Sequence, residues 1–359
     1  HVRILDLGKG ELIICGSTML QYGRTYHSPD SGRSWEEIHD LSEYANSVYS
    51  IVRLPSGALI AGMGHGMMRS DSTLQKWQAV NKGWQYGAIF DIALTSNKWI
   101  FAVGREGIHF LDESLTAWMP SLSMGYVIGI VQHSEGSLLA ATWPGVLRST
   151  DQGNTWDSLI LGYNQLTFLL EDDRGVVYGG LVDSLVYRSG DAGASWSAGV
   201  VHIPQSNVNG VVSHGGFVYI LTADEGLYRI DSTLRSAEHL LAASVIGDSY
   251  ALTKDNKGYL VVSGRNGLFL SKDGGWNWER LQDPEPRTCL PVMMAMESQG
   301  TLSCLFQMYD GPIDYSVQPE NLLYRTMDYG QSWAKMPLPQ PFQQYTLLSI
   351  PDDGKLYLA

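Results

Sequence analysis

Aspartates flanked by hydroxyl side chains recur in this sequence, as in the nine residues "RSTDQGNTW" at 148–156. Such a group could support acid–base chemistry, with the carboxylate moving a proton and the hydroxyls orienting it. It could also hold a turn, because Asp, Ser and Thr oxygens accept hydrogen bonds from nearby backbone N–H groups. The stretch occurs five times with its aspartate at one place, at Asp30, Asp151, Asp191, Asp273 and Asp328. A catalytic aspartate needs no copies, so we interpret these five as structural.

Three further stretches share a variant of this pattern, in which the aspartate comes one residue earlier and Leu replaces Gly. They lie at 69–77, 110–118 and 229–237. Aligned on their last residue, the eight stretches end at Trp35, Trp77, Trp118, Trp156, Trp196, Ala237, Trp278 and Trp333. Six of the intervals between them are 38–42 residues long, and the last is 55. A period of about 40 residues is typical of propellers, solenoids and repeat arrays.

Each repeat holds four short apolar runs; those of the fourth read "YVIGIVQH", "SLLAATW", "PGVLRST" and "TWDSL". Runs of this kind, separated by Gly, Pro, Ser and Asp, predict β-strands. Four antiparallel strands per repeat predict an all-β fold, a single β-propeller of four-stranded blades. We expect eight blades, with seven or nine as alternatives because a partial ninth repeat occupies 345–359. The full repeats span 1–40, 46–82, 87–123, 126–161, 165–201, 207–242, 245–283 and 290–338.

The aspartate stretch falls between the third and fourth strands of each repeat, where a tight turn is required. Its Gly tolerates the positive φ of such a turn. Its Trp then offers a large apolar face for packing against the neighbouring blade. The sequence therefore predicts that these stretches shape the scaffold.

The pattern S-x-D-x-G-x-[ST]-W resembles the Asp-box, or BNR, repeat. It matches at Ser28–Trp35, Ser149–Trp156 and Ser189–Trp196, and closely at Ser271–Trp278 and Thr326–Trp333. The resemblance implies a propeller of the sialidase, xyloglucanase and sortilin-like superfamily, closest in style to bacterial secreted or surface proteins. It also implies a secreted, periplasmic or cell-surface location, often as a module of a larger chain or complex.

These families do not share one activity, so the resemblance alone leaves the function open. Sialidases with this repeat carry an Arg-Ile-Pro segment near the start. In this sequence Arg3 precedes Ile-Leu and Arg24 precedes Thr-Tyr. The sequence therefore disfavours sialidase activity.

Aromatic residues mark the loops that enter successive blades. In a propeller these loops and the turns between second and third strands gather at one face, around the central channel. The aromatics are Tyr44, Trp84, Tyr86, Tyr126, Tyr163 and Tyr345. Such a ring can stack on sugars or anchor a protein partner. The alternative is that these side chains pack blade against blade.

The eighth repeat is longer than the others because of the segment "QMYDGPIDYSVQPENLLY" at 307–324. A repeat that grows one long loop usually grows it on a binding face. The loop contains Tyr309, Asp310, Asp314, Tyr315 and Glu320. Its carboxylates could contact polar hydroxyls, bind Ca²⁺ or move protons, although "DGPID" does not fit an EF-hand loop. The alternative is a solvated acidic loop.

Composition excludes several classes of function. The net charge of −13 disfavours a nucleic-acid partner. No apolar run is long enough for a membrane helix. Cys15, Cys289 and Cys304 have no metal-ligand spacing, and we expect no bond between the last two. We expect no metal and no cofactor.

The nine histidines are dispersed and form no H-x-x-x-H or H-x-H pair. His133 and His214 fall in turns between first and second strands. Those turns lie on the face opposite the entry loops. We expect both imidazoles to be exposed to solvent there.

The sequence therefore predicts a non-catalytic binding or scaffold propeller that recognises a protein or glycan partner through an aromatic, acidic loop face. The alternative is a glycoside hydrolase of the same architecture, with carboxylates of the 307–324 loop paired with others across a cleft.

Deleting residues 310–319 is expected to leave the thermal unfolding midpoint nearly unchanged and to abolish partner binding, because long surface loops contribute little to the core. Calorimetry and a partner-binding assay check this. Binding that survives the deletion would contradict it.

Overall fold

The computed structural model describes fourteen segments of the chain. They are 2–8, 11–18, 21–30, 32–38, 48–74, 76–84, 87–111, 117–143, 145–160, 166–181, 185–202, 207–296, 300–313 and 319–338. The partial ninth repeat at 345–359 lies outside them. Within these segments, no helix is long and apolar enough to cross a membrane.

Eight four-stranded antiparallel sheets, blades 1 to 8, follow one another along the chain. The strands of blades 1 to 4 are β1 Val2–Gly8, β2 Glu11–Thr18, β3 Gln21–Ser28, β4 Glu36–Glu37, β5 Val48–Arg53, β6 Leu59–Met63, β7 Gly66–Ser70, β8 Trp77–Ala79, β9 Ile89–Leu94, β10 Ile100–Gly104, β11 Gly107–Leu111, β12 Met119–Leu122, β13 Val127–Gln132, β14 Leu138–Thr142, β15 Gly145–Ser149 and β16 Asp157–Ile160.

The strands of blades 5 to 8 are β17 Leu166–Glu171, β18 Val177–Leu181, β19 Leu185–Ser189, β20 Ser197–His202, β21 Val208–His214, β22 Phe217–Thr222, β23 Gly226–Asp231, β24 Ala237–Ala242, β25 Ser249–Lys254, β26 Leu260–Gly264, β27 Gly267–Ser271, β28 Glu279–Arg280, β29 Thr288–Met296, β30 Leu302–Tyr309, β31 Glu320–Thr326 and β32 Ala334–Met336. One short helix, α1 Ala243–Ile246, connects blades 6 and 7. The strand order within each blade follows the sequence, so the predicted four-stranded antiparallel blade is confirmed.

The first strands of the blades lie innermost. Neighbouring blades touch through them, as β5 touches β9 and β9 touches β13. The apolar core lies between the sheets, because each blade covers its neighbour's face. One cluster, for example, joins Ile60 and Met67 of blade 2 to Ile89 and Trp118 of blade 3.

Blade 1 lies against blade 8. Tyr26 of β3 packs on Leu305 and Leu323 of blade 8. The indole Nε1 of Trp35 donates a hydrogen bond of 2.8 Å to the carbonyl of Pro337. The predicted eight-bladed propeller is confirmed, and the alternatives of seven or nine blades are wrong.

The aspartate stretches form turns, here called Asp turns, between the third and fourth strands. In blade 4 the Ser149 hydroxyl donates to Asp151 at 2.9 Å and accepts from the Gly153 N–H at 2.8 Å. The backbone N–H and hydroxyl of Thr155 donate to the two oxygens of Asp151 at 2.8 and 2.6 Å. The same bonds recur around Asp30, Asp191, Asp273 and Asp328. Each carboxylate therefore accepts hydrogen bonds from its own turn and stabilises the shape of that turn.

The variant turns use Leu where a positive φ is needed. Leu74 and Leu234 have φ of 61° and 57°. Both side chains are buried, with 6% and 1% of their surface exposed. Burial of the Leu side chain compensates for a backbone conformation that Gly adopts without strain.

The tryptophans after the Asp turns lie close to the preceding blade. Trp118 donates to the Val80 carbonyl at 2.7 Å and Trp156 to the Ser121 hydroxyl at 2.8 Å. Trp333 donates to the Gln282 carbonyl at 2.9 Å. Each of these indoles therefore joins two blades. Trp77, Trp196 and Trp278 instead donate within their own turns.

The expectation that His133 and His214 are exposed is wrong for His133, which is 3% exposed. Its Nδ1 accepts the backbone N–H of Glu135 at 3.0 Å, so its Nε2 carries the proton toward the Gly175 carbonyl at 2.8 Å. This bond joins blade 4 to blade 5. His214 is half-buried.

Cys289 and Cys304 are free thiols and both are buried. In the β29–β30 register Cys289 lies opposite Met308, and Cys304 lies opposite Met294. The two cysteines are therefore in different rows of the sheet, as expected. Burial raises the pKa of both thiols.

The Asp turns predict a pH dependence of stability. Hydrogen bonds from the hydroxyl and then the backbone N–H of Ser332 lower the pKa of Asp328 to about 2. A carboxyl whose pKa is lowered by folding stabilises above its unfolded pKa of about 4 and loses that effect as pH falls toward the folded value. We expect Asp328→Asn to lower the unfolding midpoint by a few degrees at pH 7, with a difference from wild type that shrinks between about pH 4 and pH 2. Calorimetry across that range measures it, and parallel pH profiles would contradict it.

Candidate functional site

The channel mouth at the loop face is shaped by a repeated irregularity. In seven blades, pairing between the first and second strands skips one residue near the start of the first strand. Such bulges re-aim side chains and are common beside binding sites. The skipped residues are Tyr49, Phe90, Ile128, Thr167, Asn209, Tyr250 and Val292. The first strand of each blade from 2 to 8 therefore has one residue that is left out of the pairing, and its type varies between blades.

An aromatic cluster lies at the loop face over blades 2 to 4. The rings of Tyr49 and Phe90 meet edge to face with centroids 6.2 Å apart. Phe90 lies 5.9 Å from Tyr126, which belongs to the loop entering blade 4. The guanidinium carbon of Arg105, in the β10–β11 turn, lies 5.5 Å from the centre of the Tyr126 ring. We call these four residues the Tyr126 cluster.

Tyr126 combines an exposed ring with a left-handed backbone conformation. Its side chain is 52% exposed, and its φ is 48°. An aromatic residue in the left-handed region is strained by about 1 kcal/mol or more, and strain of this kind collects at functional sites. Trp143, 65% exposed in the β14–β15 turn, adds a second large ring at the same face.

Trp84 and Tyr309 do not belong to an exposed surface. Each is only 6% exposed. The Trp84 ring lies 4.5 Å from His109 and 6.1 Å from Trp118, and burial lowers the pKa of His109. The prediction that Trp84 and Tyr309 contact a ligand is therefore corrected, because both rings fill the core.

Three carboxylates at blade 8 gather around Arg287, and we call this group the Arg287 network; Lys335 also lies 3.7 Å from Glu285. Arg287 lies 3.3 Å from Asp310, 3.0 Å from Glu320 and 2.9 Å from Glu285. The hydroxyl of Tyr324 donates to Glu285. That hydrogen bond, with help from Arg287, lowers the pKa of Glu285.

The lowered pKa of Glu285 does not suit the general acid of a glycosidase. A general acid of a glycosidase needs a carboxyl whose pKa is raised, whereas the pKa of Glu285 is lowered. Among the described residues there is no group of three or more His, Cys, Asp or Glu side chains that could hold a metal ion. The Arg287 network presents charge and hydrogen-bonding oxygens, with Asp310 86% and Glu320 46% exposed.

The predicted site residues thus separate into two groups. Tyr126 lies in the entry to blade 4, while Asp310 and Glu320 lie on blade 8, on the other side of the ring. The remaining candidates, Tyr44, Tyr86, Tyr163, Asp314 and Tyr345, lie outside the described residues.

Sequence reasoning missed residues that lie inside strands or pair with the candidates. Tyr49, Phe90 and Tyr250 lie within first strands, whereas the predicted ring of aromatics belongs to the entry loops. Aligning the strands "VYS", "IFD" and "SYA" would have placed all three in one column. No sequence motif marks Arg105 or Arg287, because the residues they contact, Tyr126 for the first and Asp310 and Glu320 for the second, are distant in sequence.

The protein is an eight-bladed β-propeller whose loop face carries an exposed aromatic cluster and a charged network. No protein-family model matches the chain, and no curated protein matches it in sequence. Among solved structures, the computationally designed Ika8 protein is similar, with a TM-score of 0.58 and 11% identity over 94% of this chain and 96% of that one.

Two natural proteins are also similar in structure. PorZ, a bacterial surface component of the type-IX secretion system of Porphyromonas gingivalis, has a TM-score of 0.54 and 11% identity, over 94% of this chain and 58% of its own. A YCF48 protein bound to a D1 peptide has a TM-score of 0.49 and 20% identity, over 66% of this chain and 79% of its own. At these identities the likeness establishes the fold and nothing further.

The backbone of Tyr126 generates a prediction about stability. Tyr126→Gly is expected to be more stable than Tyr126→Ala by about 1 kcal/mol, because both lose the ring but only Gly relieves the strain. Urea unfolding measures the difference.

The matched control is Met119, an exposed residue of β12. There the order should reverse, since Gly in a strand is less stable than Ala by about 0.5–1 kcal/mol. A Tyr126→Gly variant less stable than Tyr126→Ala would contradict the assignment of strain.

Proposed function

We propose that this protein is a non-catalytic binding propeller that takes a protein or glycan partner on its loop face. The observation that carries the proposal is the Tyr126 cluster. An aromatic side chain is held half-exposed in a strained backbone conformation, beside a second ring and a guanidinium. Because the strained residue keeps its ring half-exposed beside Arg105, we assign the strain to recognition.

The chemistry of the cluster suits partners with flat or apolar faces and polar edges. Tyr, Trp and Arg dominate the energetics of protein interfaces, because they combine large contact area with hydrogen-bonding ends. The same rings can stack on sugar faces, and Arg105 can bond to hydroxyls or carboxylates. Across the channel, Asp310 and Glu320 offer acceptors for hydroxyl or amide donors of the same partner.

The alternative, a glycoside hydrolase acting on a polysaccharide, has less support. Its carboxylates were expected in the 307–324 loop. Asp310 and Glu320 of that loop share one arginine, and the neighbouring Glu285 has a lowered pKa. Asp310 and Glu320 are engaged by Arg287 in ion pairs and hydrogen bonds, which suits a binding role.

The Asp turns support a narrower assignment, to the Asp-box group of propellers. With it we propose a secreted, periplasmic or cell-surface location and a role as a module of a larger chain or complex. Both proposals depend on the resemblance of the turns.

The proposal predicts the behaviour of Tyr126→Ala against soluble polysaccharides and proteins. Affinity electrophoresis on plant, algal and host polysaccharides should retard the wild type if the partner is a glycan, without release of reducing ends. If the partner is a protein, a photo-crosslinking residue at 126 should capture it from the native extract. Tyr126→Ala should weaken either interaction at least about tenfold, as expected for loss of a central aromatic anchor.

The matched control is Trp276→Ala, which removes a ring that is 64% exposed on the opposite face. It should leave both readouts unchanged. Release of reducing ends that is lost in Asp310→Asn would overturn the proposal in favour of the glycosidase. Equal effects of Tyr126→Ala and Trp276→Ala would also overturn it.

A further inference from the structure

The face opposite the loops carries arginines that reach from one blade to the next. In blade 6, Arg229 lies on β23, and its Nη1 donates to the carbonyl of Gly274 in the Asp turn of blade 7 at 3.1 Å. Two rings cover this guanidinium: its central carbon lies 4.7 Å from the centre of Phe217 and 4.1 Å from that of Trp276. The Arg229 side chain is only 5% exposed.

Arg148 occupies the same position in blade 4. In the strand register Arg148 lies opposite Asp157 of the fourth strand, as Arg229 lies opposite Glu238. Its Nε donates to the carbonyl of Ala192 at 2.8 Å. Ala192 precedes the glycine of the blade 5 Asp turn, as Gly274 precedes that of blade 7. The two guanidiniums are therefore held by equivalent carbonyls.

The two covering rings are missing around Arg148. The register of blade 4 places Ser137 where blade 6 has Phe217. The alignment of the Asp turns places Ala194 where blade 7 has Trp276. A cavity of about 320 Å³ opens beside the guanidinium. It is lined by Glu135, Gly136, Ser137, Arg148, Thr150, Gln152 and Ala192.

In blades 3 and 7 a ring of the chain itself fills the position of Ser137, although Phe110 and Leu270 stand there in place of the arginine. In blade 3, Trp99 stacks on Phe110 at 4.9 Å with 7° between the ring planes. In blade 7 the position belongs to Tyr259, whose ring lies 5.3 Å from that of Tyr329 of blade 8. This position is therefore aromatic in blades 3, 6 and 7, and it holds a residue without a ring in blades 2, 4, 5 and 8, which are Ala58, Ser137, Val176 and Thr301. In blade 4 the cavity lies directly beside the arginine.

We propose that the cavity between blades 4 and 5 is a binding site for an aromatic side chain of a peptide or protein ligand, stacked on Arg148 as Phe217 and Trp276 stack on Arg229. A guanidinium over a ring face is attractive, and more so when water is excluded. Ser137 and Ala192 form a buried floor, while Thr150, Gln152 and Glu135 offer polar groups at the mouth for the ligand backbone. This site lies on the Asp-turn face and is separate from the Tyr126 cluster.

The test uses N-acetyl-L-tryptophanamide as the probe, with binding followed by saturation-transfer NMR. N-acetyl-L-leucinamide and inorganic phosphate serve as comparison probes. The filling variant, Ser137→Phe with Ala194→Trp, copies the blade 6–7 junction into blade 4–5. The opening variant, Phe217→Ser with Trp276→Ala, creates a second vacant site on Arg229. Unfolding midpoints establish that both variants fold.

The tryptophan probe should bind the wild type and be weakened at least about tenfold by the filling variant. The opening variant should bind the tryptophan probe at two sites, one at Arg148 and one at Arg229. Arg148→Met should weaken binding of the probe at the first of these sites. Equal binding of the leucine probe would overturn the aromatic assignment, and competition by phosphate would make the site an anion site. Binding that ignores the filling variant, or no binding at all, would also overturn it. Tyr126→Ala should have no effect, so this test and that of the loop face are independent.

Discussion

No blade of this protein can bury its apolar residues alone, because a four-stranded sheet has two faces and only neighbouring sheets can cover them. The clusters of buried side chains therefore lie between blades, and the last blade must meet the first, as Tyr26 meets Leu305 and Leu323. The polar contacts serve the same requirement. Arg148 and Arg229 of third strands and His133 in a first turn bond to carbonyls of the next blade. The stabilising contacts are thus distributed over the interfaces between neighbouring blades.

A rigid repeated frame leaves function to the positions that vary between blades. The skipped residue of the first strand is one such position, aromatic at Tyr49, Phe90 and Tyr250 but polar at Thr167 and Asn209. The bulge leaves that position out of the ladder whatever its side chain, so the residue type there is free to vary. The loop face consequently has an aromatic side over blades 2 to 4 and a charged side at blade 8.

The arginine of the third strand illustrates how one position can serve structure or binding. Arg229 and Arg148 make the same bond to the next Asp turn. Rings that cover a guanidinium exclude water and make it part of the core, whereas small residues leave its faces open to a ligand. Two side chains distinguish the junctions: Phe217 and Trp276 cover Arg229, whereas Ser137 and Ala194 stand at the equivalent positions around Arg148.

The sequence by itself determined the period, the four strands per blade and the Asp turns, because these depend on contacts within a few residues. It also placed Tyr126 in a loop that enters a blade, at the loop face. Only the tertiary structure decided which aromatics are exposed: Trp84 and Tyr126 both lie in entry loops, but Trp84 is buried against His109 and Trp118 while Tyr126 faces solvent. It likewise decided that Arg287 binds Asp310 and Glu320, and that eight blades close the ring. Burial, ion pairing and closure depend on residues distant in sequence, and local pattern carries no record of them.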